Sequence, residues 1–444
     1  MIELTITKAD ADLVAYQLLG GDTERCAILF ASRALQNRAV IRFVVRKVEF
    51  PDEENYTQKS IVSAELSPAF IAKISKQARM NGFSIIFVHS HPGKDHPQFS
   101  NVDDMGEKRL ASFLSVRLPD TAHGSIVISA GGWRGRLLGS SNPMKVVSLG
   151  AKREVLFESK NAYPIDRTLF DRQVRAFGVD GQKILGSLVV GIVGLGGTGS
   201  VAAQQLAHLG VKSFILIDPD KIESTNLNRV VGANKKDMDR AKVDVAADLI
   251  LSISPDASIH RVIGDATRTH VANELTAVDF IFSCTDSHGS RSVIQQIAYQ
   301  YLVPCIDVGS ILTSSNGHVT GIHGRVQALS PGLPCLHCSG LIDAEEVRRD
   351  MMDDEERQRD RYIHGAREPA PAVISINSTV MSLAITMFMS MVVGIPSEGR
   401  YVLYNGKGPT LRSVTAKQNP NCYICSQNGV LGLGSSQALF TRDE

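Results

Sequence analysis

The ten residues GIVGLGGTGS, 191–200, constrain the fold of this chain more than any other stretch. They follow the apolar run SLVV and lead into SVAAQQLAHLG, which has helical character. Gly194, Gly196 and Gly199 satisfy the GxGxxG spacing, and Gly197 makes the centre a double glycine. Such a segment lets the backbone leave a buried strand, turn tightly and open a helix whose unpaired N–H groups face an incoming phosphate. Asp218 ends the next strand-like run, SFILID, where a carboxylate can meet a ribose hydroxyl. The runs DFIFSCTD and VPCIDVG continue the series, separated by helical segments such as DRAKVDVAADLILSI. Strand and helix in alternation predict an α/β, doubly wound Rossmann-like domain with a parallel sheet.

The preceding residues read differently. Strand-like runs (CAILFAS, AVIRFVVRKVEF, FSIIFVHS, SIVISAGG) surround one helical stretch, SPAFIAKISKQARMNG, which predicts a small α+β domain. The expected organisation is a first domain over 1–150, a linker over 151–165, a second domain over 166–430 and a tail over 431–444. A chain of 444 residues, 43% hydrophobic and 21% charged, suits several globular domains and excludes a disordered or fibrous protein. A formal charge of +1 gives no electrostatic basis for nucleic acid or an anionic membrane as partner. The N-terminal MIELTITKADADLV has no basic stretch followed by a long apolar one, so a cytoplasmic protein is expected.

The window 372–396 is long and apolar enough to cross a membrane, yet it contains Ser375, Asn377, Ser378, Thr379, Ser382, Thr386 and Ser390. That content predicts a buried helix, with Met381, Met387, Met389 and Met391 in a core or a subunit interface. Of seven cysteines, Cys335, Cys338, Cys422 and Cys425 form two CxxC pairs after Pro-containing turns. Two such pairs supply four thiolates for a tetrahedral structural zinc. The odd number argues against a disulfide framework.

Five motifs in order, FDRQVRAFG, GLGGTGS, PDKIESTNLNRVV, DRAKVD and FSCTDSHGSR, resemble the ThiF/MoeB family of ubiquitin-activating-type adenylating enzymes. The resemblance implies ATP and magnesium as cofactors. It also implies a ubiquitin-like or sulfur-carrier protein whose C-terminal glycine carboxylate attacks the α-phosphate, giving an acyl-adenylate and pyrophosphate. Carried over residue by residue, it places Asp218 and Asp220 in the nucleotide site, Asn226, Arg229 and Lys242 around the phosphates, and Asp286 on magnesium. Arg172 would reach into a partner subunit's site, which implies a homodimer. Many relatives carry a cysteine between the first CxxC and the long apolar helix. Here that charged segment has none, so adenylation without a thioester on this chain is expected, and an exposed helix or lid there. Cys284 and Cys305 lie in strand-like runs and are expected to be buried, with Cys305 the one that could approach the site.

A second chemistry-bearing stretch, HSHPGKDHPQFSNVDD, spans 89–104. His89 and His91, two apart after the strand-like FSIIFV, project from the same side and can reach one ion. Asp103 can give a third ligand and leave a position for water, the layout of a catalytic zinc. HxHP followed by Ser100 and then Asp103 resembles the JAMM motif of the JAB/MPN zinc isopeptidases. That resemblance makes Ser100 the oxyanion donor and Glu24, in ERCAIL, the general base; Glu49 and Glu53 are lesser candidates. The interval Pro92 to Phe99 is one residue longer than the family's, which leaves Asp95, His96 and Asp104 as alternative ligands.

The two resemblances together imply a bifunctional enzyme of a prokaryotic-type ubiquitin-like pathway, one half cutting after a carrier's terminal glycine and the other adenylating that same end, with a conjugating enzyme among its partners. The alternatives are activation of a sulfur carrier for thiocarboxylate formation, adenylation of a short peptide, and a non-catalytic scaffold.

Overall fold

A computed structural model describes residues 2–34, 41–93, 95–159, 164–353, 356 and 371–443. The chain divides into two compact units: Met1–Ala162 with Gln300–Leu302 and Val430–Ala438, and Tyr163–Tyr299 with Val303–Gly429 and Leu439–Glu444.

The first unit comprises β1 (Ile2–Thr7), α1 (Lys8–Leu19), β2 (Cys26–Ala34), β3 (Ile41–Glu49), β4 (Tyr56–Lys59), β5 (Ala64–Leu66), α2 (Pro68–Asn81), β6 (Ser84–Ser90), α3 (Asn101–Arg117), β7 (Gly124–Ser129), β8 (Gly132–Leu137), β9 (Lys145–Leu149) and β10 (Arg153–Phe157). All but the small β4–β5 pair form one sheet, in the order β10-β9-β1-β3-β2-β6-β7-β8. Its central strands are apolar on both faces because each face is covered. Ala27, Leu29 and Ala31 of β2 pack with Val14 and Leu18 of α1, while Ile28 and Phe30 pack with Phe70 and Ile74 of α2 and Leu114 of α3. Each of the larger side chains here, Val, Leu, Ile or Phe, contributes about 1.5–3 kcal/mol on burial.

Three expectations are corrected here. The unit has three long helices rather than one. α1 hides a short apolar stripe (Ala11, Val14, Leu18) among charges, and α3 begins inside the His/Asp stretch, where Ser100 is its N-cap. The stretch expected as a linker contributes β10, which pairs antiparallel with β9 and packs Leu156 and Phe157 on the core. The expected tail is structured: Val430 and Leu431 are buried, and Gly432, at φ +70°, passes so close to Val45 that a Cβ would meet its carbonyl oxygen at 2.5 Å.

The second unit comprises α4 (Asp171–Ser187), β11 (Val189–Val193), α5 (Gly199–His208), β12 (Ser213–Ile217), α6 (Lys242–Ile253), β13 (Ser258–Val262), α7 (Thr269–Glu274), β14 (Phe280–Ser283), α8 (His288–Gln300), β15 (Cys305–Ser315), β16 (His318–Leu329), α9 (Ala344–Met351), α10 (Ile374–Val392), β17 (Tyr401–Asn405) and β18 (Thr410–Ser413). The sheet order is β13-β12-β11-β14-β15-β16-β17-β18, parallel through β15 and antiparallel beyond it. The order reverses between β11 and β14, and ligands of open α/β sheets sit outside the strand ends at such a reversal.

α10 is long and apolar enough to cross a membrane. In this unit, however, Met381, Met387, Met389 and Met391 are all buried in the core, and Phe388 stacks at 4.8 and 5.4 Å on Phe280 and Phe282. The methionines are therefore core residues of this chain. Of the charged crossover segment, α9 is helical and has no buried residue; positions 354–355 and 357–370, where the lid was expected to continue, lie outside the described residues.

Candidate functional site

The loop after β11 is shaped by what its glycines leave out. Gly194 has φ +86°, and a Cβ there would lie 2.8 Å from the Cys284 carbonyl oxygen. A Cβ on Gly199 would lie 1.8 Å from the Gly194 carbonyl oxygen, and one on Gly197 would lie 2.1 Å from Asn377 Nδ2. At Gly196 the corresponding space is open for 4 Å, as an approaching phosphate requires. Gly199→Ala should therefore force the turn apart, costing about 1–3 kcal/mol and weakening ATP binding, measurable by thermal melts with and without ATP.

Asp218, only 4% exposed at the end of β12, accepts from the Leu195 N–H at 2.5 Å and the Asp220 N–H at 2.8 Å. Burial raises its pKa, against the opposing pull of Lys242 and these N–H donors. Lys242, at the start of α6, lies 3.9 Å from Asp218 Oδ1 and 2.7 Å from Asp220 Oδ2. Asn226 is buried in the turn after β12, where its Oδ1 accepts from the Glu223 N–H. The Arg229 side chain donates to the Thr225 carbonyl, with its Cδ 3.6 Å from where a Cβ on Gly197 would lie.

The Cys284–Thr285 backbone packs on Gly194, so Asp286 follows directly at the sheet reversal, exposed. Its carboxylate, which has no hydrogen bond or ion pair among the described residues, is a hard oxygen donor of the kind magnesium takes. Cys305 is buried in β15, and Cys284 is the cysteine that lies against the loop; burial pushes the Cys284 thiol up to about 12. Arg172, exposed on the first turn of α4, has no hydrogen bond or ion pair among the described residues and is not brought to the other site residues of its own chain. Sequence reasoning missed Asn377, which receives the Ser310 hydroxyl at 2.8 Å and walls the loop; its only signal was an amide within an apolar helix.

In the same unit Cys335, Cys338, Cys422 and Cys425 converge, all sulfurs within 4.8 Å of one another. The pairs Cys335–Cys422 and Cys338–Cys425 are each 3.6 Å apart, near the roughly 3.8 Å expected between thiolates 2.3 Å from a tetrahedral zinc. Backbone N–H groups of Cys338 and Asn419 donate to the Cys335 and Cys338 sulfurs at 3.4 Å, which suits thiolates. Cys338→Ser should release one zinc equivalent by mass spectrometry and lower the melting temperature by about 5–10 °C.

The first unit gathers the other polar set. β2 and β6 pair antiparallel with Cys26 opposite His89, and the Ser90 N–H reaches the Arg25 carbonyl at 2.9 Å. Continuing that register sets Glu24 across from His91, and Glu24 Oε1 lies 3.6 Å from His91 Nε2. His89 Nε2 and His91 Nε2 are 3.2 Å apart, and they lie 3.1 and 3.4 Å from the two oxygens of Asp103. These separations match the roughly 3.3 Å between ligand atoms about 2.0–2.1 Å from a tetrahedral zinc, so the residues fit the ion.

A capping box fixes Asp103: its Oδ2 accepts from the Ser100 N–H at 2.6 Å and the Ser100 hydroxyl at 2.8 Å. Burial opposes ionisation of Asp103, but hydrogen bonds from His89 and His91 hold its carboxyl well below the usual range. Burial raises Glu24, partly offset by the two histidines. Of the alternatives, Asp104 pairs with Arg136 at 2.7 Å, and neither Asp95 nor His96 joins the group of His89, His91 and Asp103 among the described residues. Glu49 pairs with Lys47 and Lys73, and Glu53 with Lys59. The β4–β5 hairpin also supports Glu24, whose N–H donates to the Ser60 carbonyl at 2.8 Å, a contact that no residue pattern marks.

The sheet order and a glycine-rich loop at its reversal define the second unit as a doubly wound nucleotide-binding domain. Residues 170–424 match the ThiF family, and the chain belongs to that family. It is 28% identical over 260 residues to the molybdopterin-synthase adenylyltransferase of Escherichia coli K12, covering 58% of this chain and 96% of that one. It is 26% identical to the SAMP-activating enzyme E1 of Haloferax volcanii, covering 60% and 92%. To the sulfur carrier protein ThiS adenylyltransferase of E. coli K12 it is 28% identical, covering 56% and 89%.

Proposed function

We propose that the second unit uses ATP to adenylate the C-terminal carboxylate of a ubiquitin-like or sulfur-carrier protein. The observation that carries this reading is the convergence of the glycine loop, Asp218 and Asp286 at one sheet reversal in a ThiF-family chain. Asp218 and Asp220 receive the nucleoside side of ATP, and the open face at Gly196 admits the phosphates. A carboxylate oxygen of the carrier bonds to the α-phosphorus as the α–β bridging bond breaks, and pyrophosphate leaves with that electron pair. Arg229 and Lys242 offset the negative charge that builds on the phosphoryl oxygens. Asp286 would hold magnesium, which when bound supplies further neutralisation of the phosphates. Exposed Arg172 is available to a second copy, and the active form is a homodimer on this reading. Carrier-dependent ATP:pyrophosphate exchange tests the proposal, and no exchange with any plausible carrier would sink it.

The first unit is, on the same proposal, a JAB/MPN-like zinc isopeptidase acting at the carrier's C-terminal glycine. His89, His91 and Asp103 would hold zinc, which when bound would acidify a water. Glu24 takes up the water's proton as its oxygen bonds to the attacked carbonyl carbon, the Ser100 hydroxyl, turned from Asp103, donates to the oxyanion, and the C–N bond then breaks with Glu24 returning that proton to the leaving amine. The protein works in the cytoplasm, and a conjugating enzyme is the downstream acceptor if the carrier modifies proteins. Thiocarboxylate formation is the second reading, favoured by two relatives whose names specify molybdopterin synthase and a sulfur carrier. Genomic neighbours separate the two: a conjugating-enzyme gene favours modification, a sulfurtransferase gene biosynthesis.

A further inference from the structure

We propose that Asp350, on the crossover helix α9, is a positioning residue for adenylation: it joins Ser287 in capping α8 and so holds the turn that presents the Asp286 carboxylate to magnesium. The inference rests on the adenylation reading of the second unit.

The first turn of a helix presents N–H groups with no partner inside the helix, and an aspartate just before it ordinarily supplies one. α8 begins two residues after Asp286, so Ser287 is its N-cap, and a carboxylate from α9 supplies a second acceptor. The Ser287 hydroxyl accepts from the Ser290 N–H at 3.1 Å. Asp350 Oδ2 accepts from the Gly289 N–H at 3.0 Å and from that same Ser287 hydroxyl at 2.8 Å. The Ser287 N–H in turn donates to Thr285 Oγ1 at 3.2 Å, so the residues on both sides of Asp286 are fixed while its own side chain stays exposed. A carboxylate already seated on the positive end of α8 satisfies that end electrostatically, and a second one nearby is repelled outward.

The chain is built to permit this approach. A Cβ on Gly289 would lie 2.7 Å from the Asp350 Cβ, so any other residue there would push α9 away. α9 is also held at both ends. The Asp343 N–H donates to His288 Nδ1 at 3.1 Å, and Arg442 reaches the Met352 carbonyl at 3.1 Å. Arg442 also pairs with Asp265 at 2.6 Å, and Asp265 receives the Ser290 hydroxyl at 3.3 Å. The crossover segment is thereby latched to the turn that carries Asp286.

The test is a double-mutant cycle in the full chain with Asp350→Ala and Gly289→Ala, which break one contact from opposite sides, plus Asp350→Asn, which keeps one acceptor oxygen. Three quantities are read: hydrogen exchange of the 287–290 amides, the magnesium dependence of ATP binding by calorimetry, and pyrophosphate exchange. Each alanine variant should speed amide exchange and raise the half-saturating magnesium concentration about tenfold, the consequence of losing a hydrogen bond to a charged group. The double variant should be no worse than either single one, and Asp350→Asn should recover most of the effect. A wild-type magnesium curve for Asp350→Ala, effects that add, or a lower melting temperature with unchanged magnesium dependence would overturn the positioning role while leaving the adenylation reading intact. Failure of the wild type to exchange with any carrier would remove both.

Discussion

Asp286→Ala is expected to lower carrier-dependent ATP:pyrophosphate exchange by about a hundred- to a thousandfold with no change in melting temperature. On the adenylation proposal the size follows from losing the carboxylate that would hold a divalent ion against the phosphates, where transition-state charge is concentrated. The unchanged stability follows from position. Asp286 is exposed, the first turn of α8 is capped by Ser287 and Asp350, and the Gly194 turn is set by backbone contacts with Cys284. Asp286→Asn, which keeps one neutral oxygen, should fall between. Exchange within threefold of wild type would remove Asp286 from the site. A large drop in melting temperature would make it a structural residue.

The phosphate loop was legible in the sequence because its glycine spacing is itself the signal, and at Gly199 the demand is local, since a Cβ there would strike the Gly194 carbonyl. The demands on Gly194 and Gly197 come from Cys284 and Asn377, far along the chain, and the spacing records them without naming their source. Asn377 and Asp350 were not legible. Each acts at the loop or at α8 only because the chain returns after a long excursion, and an amide in an apolar helix or one acid among many carries no mark of its destination. Asp286 could be read as an ordinary helix cap, and only the three-dimensional structure shows that role taken by another residue.

The first unit shows the same division. The His89–His91 pair was legible from the period of a strand, and the register of β2 on β6 accounts for Glu24 lying beside it. α3 was obscured because its capping box and the metal-site pattern use the same two residues, Ser100 and Asp103. One carboxylate both starts the helix and faces the histidines, so a stretch that looks like a polar loop is a helix N-terminus. Despite the extra residue before Ser100, the side chains that the fold gathers are His89, His91 and Asp103, while Asp104 pairs with Arg136. β10 was misread as linker because five residues after a turn carry too little pattern to signal a paired edge strand.

Glu24→Gln should abolish cleavage after a carrier's terminal glycine, by about a hundred- to ten-thousandfold, while zinc stays bound. Its carboxylate lies beside His91 at 3.6 Å but outside the set formed by His89, His91 and Asp103, where it can reach a water held by them, and burial raises its pKa against the pull of the two histidines. Glutamine keeps the shape and removes the basicity, so the hairpin contact through the Glu24 N–H persists. Metal analysis should find two zinc equivalents per chain in wild type and in Glu24→Gln, and one in His91→Ala, with the four cysteines retaining theirs. Loss of zinc together with activity in Glu24→Gln would make Glu24 a ligand rather than the base. Cleavage at the wild-type rate with both ions bound would leave the first unit without the base its chemistry requires.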